Sequence, residues 1–284
     1  MVEVVKNKFI KDLHWVCSTP SLLRLQTRKE TIGLVKQILR WATENLENFP
    51  DTIRIQHKKR LGVYCEEVLS WAIDHHPDFE LIAKGLQIQD EGITLGELDF
   101  VFKHLSTGRH YHLELAVKFY LYHKSAPKSK AFIGPNAVDR LDIKMARLVN
   151  HQLQLTSHKA TSRWLAENYI SEITPLGHVP GILFYHWIDT QLFIPEGIID
   201  YGKKGIWLYQ QEWSAFAKKN TQDFILLEKL NWLSPSCSNP SDYLSAAKIA
   251  TFIHQEKWLK SILFFDPKES RYVFLVPNNW PTAQ

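Results

Sequence analysis

The sequence predicts a mixed α/β protein, and three observations predict it. Apolar residues recur at helical spacing through roughly the first 75 positions. The period then changes to two, first in TLGELDFVFKHL and then in RHYHLELAVKFYLYH. Beyond residue 176 or so, short apolar runs alternate with helical segments. With 284 residues, 45% of them hydrophobic and 23% charged, the chain can bury one large core or two modest ones. Disorder is excluded as the main state.

Each element has its own signal. SLLRLQTRKETIGLVKQILRWATENLENF places Leu22, Leu25, Ile32, Val35, Ile38 and Leu39 at helical spacing, and Pro50 closes the segment. Residues 57–75 form a second amphipathic helix, with Leu61, Cys65, Val68, Leu69 and Ala72 as its apolar stripe and Pro77 as its stop. A strand near KGLQIQD leads into TLGELDFVFKHL, where Leu98, Phe100 and Phe102 alternate with Glu97, Asp99 and Val101. STGR is a short turn, with Gly108 free to take positive φ. The strand that follows is RHYHLELAVKFYLYH, with Tyr111, Leu113, Leu115, Val117, Phe119 and Leu121 on one face and His110, His112, Glu114, Ala116, Lys118 and Tyr120 on the other. A long helix is then expected from Asn136, an N-cap residue with Asp139 completing a partial capping box. Its buried stripe is Val138, Leu141, Met145, Leu148 and Leu155; Arg140, Lys144, Arg147 and His151 make a continuous basic face. GILFYHWI and GIWLYQQEW read as β-rich, QDFILLEKLNWL and SAAKIATFIHQEKWLKSI as helical, and RYVFLV as a last strand.

The chemistry is expected on the hairpin. A two-residue loop at Thr107–Gly108 would set Asp99 opposite Ala116 and Glu97 opposite Lys118, with Glu114 and Lys118 diagonal to Asp99. Carboxylates and one lysine then share a sheet face, and a slip of two residues would keep them together. Such oxygens suit Mg²⁺ or Mn²⁺, which polarises a phosphodiester and generates hydroxide from bound water. A lysine beside the metal orients that water and stabilises developing charge. Glu66 on the preceding helix could add an oxygen, and the basic face of the later helix could hold phosphates. A solvated hairpin face with a Glu114–Lys118 ion pair is the plainer account of the same residues.

These residues resemble the PD-(D/E)XK nuclease-like superfamily. The resemblance rests on Glu66 in RLGVYCEEVL, Asp99 in LGELDF and Lys118 in HLELAVKFYL. With IGPNAVDRLDIKMARLVNHQL they are similar, more narrowly, to a bacterial family of unknown function placed in that superfamily. The resemblance implies a restriction-endonuclease-like core of helix, three-stranded hairpin sheet, helix and strand. That core would span 55–190, with a helical region at 1–54 and an α+β extension at 191–284. It implies Asp99 and Glu114 as metal ligands, Lys118 and Glu66 as catalytic residues, and Arg140, Lys144, Arg147 and His151 as the nucleic-acid contacts. One departure stands out: the second carboxylate of the motif would fall at Ala116. Either Glu114 replaces it, or the site has lost its metal and survives as a nucleic-acid or protein binding module.

A third reading uses His110, His112 and Glu114 as transition-metal ligands in a small-molecule hydrolase. No Gly-rich phosphate loop and no GxSxG occur, which argues against an NTP-driven motor or a serine hydrolase. Net charge is +4, which permits a polyanionic partner without demanding one. Cys17, Cys65 and Cys237 lie far apart, so a disulfide framework or zinc knuckle is not expected. With no signal peptide and no membrane span in view, a cytoplasmic location is expected.

Overall fold

A computed structural model describes residues 2–45, 60–199, 204–235, 239–256 and 258–282. Cys237 and residues 57–59 of the second expected helix lie outside them. In chain order the elements are α1 (Val2–Ser18), α2 (Arg28–Glu44), α3 (Leu61–His75), β1 (Phe79–Asp90), β2 (Ile93–His104), β3 (His110–Leu115), β4 (Lys118–Tyr122), β5 (Phe132–Ile133), α4 (Leu141–Asn150) and α5 (Lys159–Glu167). There follow β6 (Ile173–His178), β7 (Gly181–His186), β8 (Lys204–Tyr209), α6 (Trp213–Ala217), β9 (Phe224–Leu227), β10 (Tyr243–Leu244), α7 (Ala246–His254), β11 (Ile262–Asp266) and β12 (Arg271–Val276). The protein is mixed α/β, with two mixed sheets.

The chain divides elsewhere than at 54 and 190. One compact unit comprises 1–117 and 145–180, the other 118–144 and 181–284. The first holds a four-stranded sheet in the order β1-β2-β3-β6. β1, β2 and β3 are antiparallel neighbours, and β6 runs parallel to β3. One core cluster joins Leu98 and Val101 of β2 to Leu155, Ala160, Leu165 and Ile170, so a 3-10 turn at Gln152–Ser157 and α5 pack on the sheet. Gly96 admits that turn: a Cβ there would lie 2.6 Å from Leu155 Cδ1.

The second unit holds an eight-stranded sheet, β10-β9-β11-β12-β8-β7-β4-β5. Four neighbours in it, β12, β8, β7 and β4, are parallel. Trp213, Phe216, Phe224 and Phe264 are the largest members of its core.

The single strand expected over RHYHLELAVKFYLYH is two strands. β3 pairs with β6 as far as Leu115↔His178, and β4 resumes with β7 at Lys118↔Gly181. Between them Ala116 still donates to His178 O, but Pro180 has no amide hydrogen with which to continue a ladder. The hairpin loop is also longer than expected. His104 N–H donates to Arg109 O and Gly108 N–H to His104 O, so the loop runs Leu105–Arg109 and Lys103 pairs with His110.

Two helix expectations need correction. Asn136 does not cap a helix; Ala137 has φ 60° and Gly134 N–H bonds to Asp139 O, closing a turn before α4 begins at Leu141. Val138, expected to be buried, is 85% exposed as a result. FILL, expected to be helical, is β9, paired with both β10 and β11. A four-residue apolar run carries no period that could have decided between them.

Candidate metal centre

The observed register shifts the hairpin by two residues from the expected one. Phe100 pairs with Leu113 and Val101 with His112, and continuing that ladder sets Asp99 abreast of Glu114, not Ala116. The side chains lock the match. Leu115 N–H donates to Asp99 Oδ2 at 2.8 Å, and Asp99 N–H points at Glu114 Oε1 at 3.4 Å.

Glu114 is 1% exposed and fully engaged. Its Oε1 lies 2.7 Å from His112 Nε2, and its Oε2 accepts from Gln152 Nε2 at 2.8 Å. His112 is itself 0% exposed. The other ring nitrogen is Nδ1. It is buried without a hydrogen-bond partner among the described residues.

Two more acids act on this pair. Burial pushes the Asp99 carboxyl up to about 8, reinforced by the charge of Glu114 and, less, by Glu66 and Glu97; the Leu115 amide opposes the rise. Glu66, half-buried on α3, is raised first by burial, then by Glu97, and pulled back by Lys84 of β1. The lysine is a strand neighbour: Lys84 pairs with Phe100 and Leu86 with Leu98, which leaves Gly85 facing Asp99. Gly85 has φ +60°, and a Cβ on it would lie 3.2 Å from Glu97 Oε1. Glycine here accommodates both the left-handed backbone and the overlying carboxylate.

Lys118 is not among the groups that shift Asp99 or Glu66. It opens β4, opposite Gly181, and in the observed β2–β3 register the residue abreast of Glu97 is Ala116, so the expected Glu97–Lys118 pairing does not form. Burial lowers the Lys118 pKa, with Asp139 raising it and Lys144 lowering it. Of the expected basic face, Arg140 and His151 flank α4, and Lys144 N–H donates to Arg140 O and His151 N–H to Arg147 O, so the four residues keep helical spacing. Arg140 precedes α4 and grips Asp142 through two bonds, of 3.0 and 2.6 Å. His151 follows the end of α4, and only Lys144 and Arg147 lie within it. Arg147 and His151 are exposed.

Sequence reasoning missed Gln152, Lys84 and Gly85. Gly85 alone carried a signal, since a glycine inside a strand pattern marks a bulge or a close approach. His110 and His112 sit on one strand, but His112 is spent on Glu114 and His110 pairs with Lys103. Among the described residues no three His, Cys, Asp or Glu side chains stand ready to hold one metal ion. The hard oxygens nearest Asp99 are its own carboxylate, which is partly exposed, and that of Glu114, which is buried and would have to exchange a hydrogen bond to His112 or Gln152 for a cation. No described helix is long and apolar enough to cross a membrane.

The chain matches no curated protein and no solved structure. A family model described as a domain of unknown function, DUF1853, matches residues 11–265, and the chain belongs to that family.

Proposed function

We propose that Asp99 and Glu114 hold a divalent cation, Mg²⁺ or Mn²⁺, and that the protein hydrolyses phosphodiester bonds in DNA or RNA. One observation carries the reading. Four acids are gathered closely enough that Glu114, Glu66 and Glu97 raise the proton affinity of Asp99, and Glu97 and Glu114 that of Glu66, where Lys84 opposes the rise. A folded protein gains nothing in stability from such a group unless a cation joins it. The order α3, β1, β2, β3, then, after β4 and β5 of the other sheet, α4, α5 and β6, with β6 parallel to β3, also supports the PD-(D/E)XK resemblance.

When bound, the cation would act as a Lewis acid on the phosphoryl oxygen and lower the pKa of its water. The chain's own residues do the rest. Gln152 and His112 hold the Glu114 carboxylate in one orientation, and the Leu115 amide does the same for Asp99. Glu66, whose proton affinity is raised, is placed to take a proton from water. Lys84 is the basic group placed to hold Glu66 in check. Arg147 and His151, both exposed, are the phosphate contacts.

A second reading has its own observation. Counted from Glu114, the lysine of a (D/E)xK motif falls at Ala116, and Lys118 belongs to the other unit. The site would then bind nucleic acid without cutting it. Calorimetric titration with Mn²⁺ and a cleavage assay on single- and double-stranded DNA and RNA separate the two. The hydrolase reading expects Mn²⁺ binding and cleavage by the wild type, both lost in Glu114→Gln. Mn²⁺ or nucleic-acid binding without cleavage selects the binding module, and absence of Mn²⁺ binding overturns the metal centre.

A further inference from the structure

The turn in IGPNAV that replaces the expected helix start lines a cavity of about 270 Å³ in the second unit. Its other walls are Leu259–Ser261 and the segment after β12, notably Pro277, Asn279 and Trp280. We propose that this cavity binds a small organic monoanion with an apolar body, the body against the apolar wall and the charge on Lys260.

Four observations support the assignment. The cavity lies at the carboxyl end of β12, one of four parallel strands, and carboxyl ends of parallel strands are where open α/β sheets place ligands. Its walls are tied in place. Trp280 Nε1–H donates to Gly134 O at 3.3 Å, Ser261 Oγ–H to Pro135 O, and Gly134 N–H to Asp139 O. Ala137 is held at φ 60°, a strained conformation for a residue with a Cβ, and it turns Val138 outward. Val138 and Leu259 remain 85% and 65% exposed on the lining, an apolar surface left to solvent on both sides of one cavity. Lys260 is the charged residue among the lining residues, so the complementary ligand is an anion. Few polar groups on a mostly apolar wall is the usual make-up of a small-molecule site.

The test uses naphthalene-2-carboxylate and its neutral twin, naphthalene-2-carboxamide, by calorimetry on the full chain. The wild type should bind the carboxylate at least threefold more tightly than the amide. Lys260→Gln should erase that preference while leaving amide affinity unchanged. Val138→Glu, at a position exposed enough not to disturb folding, should weaken carboxylate binding about tenfold and the amide much less. Equal affinities in the wild type, binding of neither probe, or carboxylate binding untouched by both variants would overturn the proposal.

Discussion

Asp99→Asn should make the protein more stable at neutral and alkaline pH when no divalent ion is present. The amide side chain is nearly isosteric with the carboxylate, and its oxygen can still accept from the Leu115 amide that now bonds Asp99 Oδ2. What the substitution removes is a carboxylate whose proton affinity is raised from 3.8 to about 8 by burial and by Glu114. The sign follows from linkage. A carboxyl with a raised folded pKa contributes no penalty below its unfolded pKa, and stability is lost as pH climbs from there through the folded value. At about 1.4 kcal/mol per pKa unit, the displacement bounds the wild-type penalty at ~4 kcal/mol near pH 7 and under ~2 kcal/mol near pH 5. Relaxation and water at the partly exposed edge of Asp99 relieve part of this, so the expected net gain is about 1–3 kcal/mol near pH 8. In thermal unfolding that is a rise of roughly 3–8 °C for a chain of this size.

The assay is scanning calorimetry of both proteins in chelator at acid, neutral and mildly alkaline pH, repeated with Mg²⁺. The stabilising effect of the substitution should grow with pH and nearly vanish near pH 4. Mg²⁺ should raise the wild-type midpoint and leave the variant unmoved, because ligand binding to the folded state alone adds stability. A variant no more stable than the wild type at alkaline pH, or one that responds equally to Mg²⁺, would refute the reasoning.

Three further outcomes are expected. Lys84→Gln should raise the proton affinity of Glu66 further, seen as an alkaline shift of the acidic limb in the pH profile of Mn²⁺ binding. His178, buried with Nε2 on Val16 O and its pKa lowered to about 4, favours the neutral ring in the fold, so its contribution is present above 6.5 and lost as pH falls toward 4. Denaturant titration should show about 2 kcal/mol lost at pH 5 that His178→Gln does not lose. Arg147→Gln should reduce the salt slope of nucleic-acid binding by about one unit, whereas Arg140→Gln should not, because Arg140 is committed to Asp142.

The carboxylate pair is legible in the sequence because alternation is robust. A slip of two residues changes partners but not faces, so Asp99 and Glu114 meet even though the turn is longer than its spacing suggests. The same alternation misleads for Lys118. It continues unbroken through Ala116 and Val117, while the backbone leaves one ladder and joins another. That break is tied to Pro180, more than 60 residues away, and a local pattern cannot see a distant strand that lacks a donor. The α4 start fails for a related reason: Asn136 and Asp139 have cap chemistry, but Ala137 in a left-handed conformation spends them on a turn. Gln152 lies on a 3-10 turn admitted by Gly96, a tertiary contact with no local signature.

The corrected register makes Ala116→Lys a sharper test than any deletion. Continuing the hairpin ladder past Asp99 and Glu114 sets position 116 abreast of Glu97, on the face that already carries Glu114 and His112. Ala116 is half-buried, and its backbone amide is tied to His178 O, so the strand is fixed there while a long side chain can reach toward solvent. An ammonium at that point would stand among Glu97, Asp99 and Glu114. It would draw the Asp99 carboxyl down from about 8. The pH-dependent penalty would then flatten, and the protein in chelator would gain stability near pH 8 much as Asp99→Asn does. The two variants part on activity. Asp99→Asn removes an oxygen ligand and should lose cleavage outright. Ala116→Lys keeps every carboxylate and adds the positive charge that stabilises a phosphoryl transition state. If the wild-type site is a working hydrolase lacking that charge, metal-dependent cleavage should rise severalfold, with Mn²⁺ affinity falling because like charges repel. If cleavage is absent from the wild type and remains absent from the variant while Mn²⁺ still binds, the binding-module reading stands and the missing lysine is not what silenced the site.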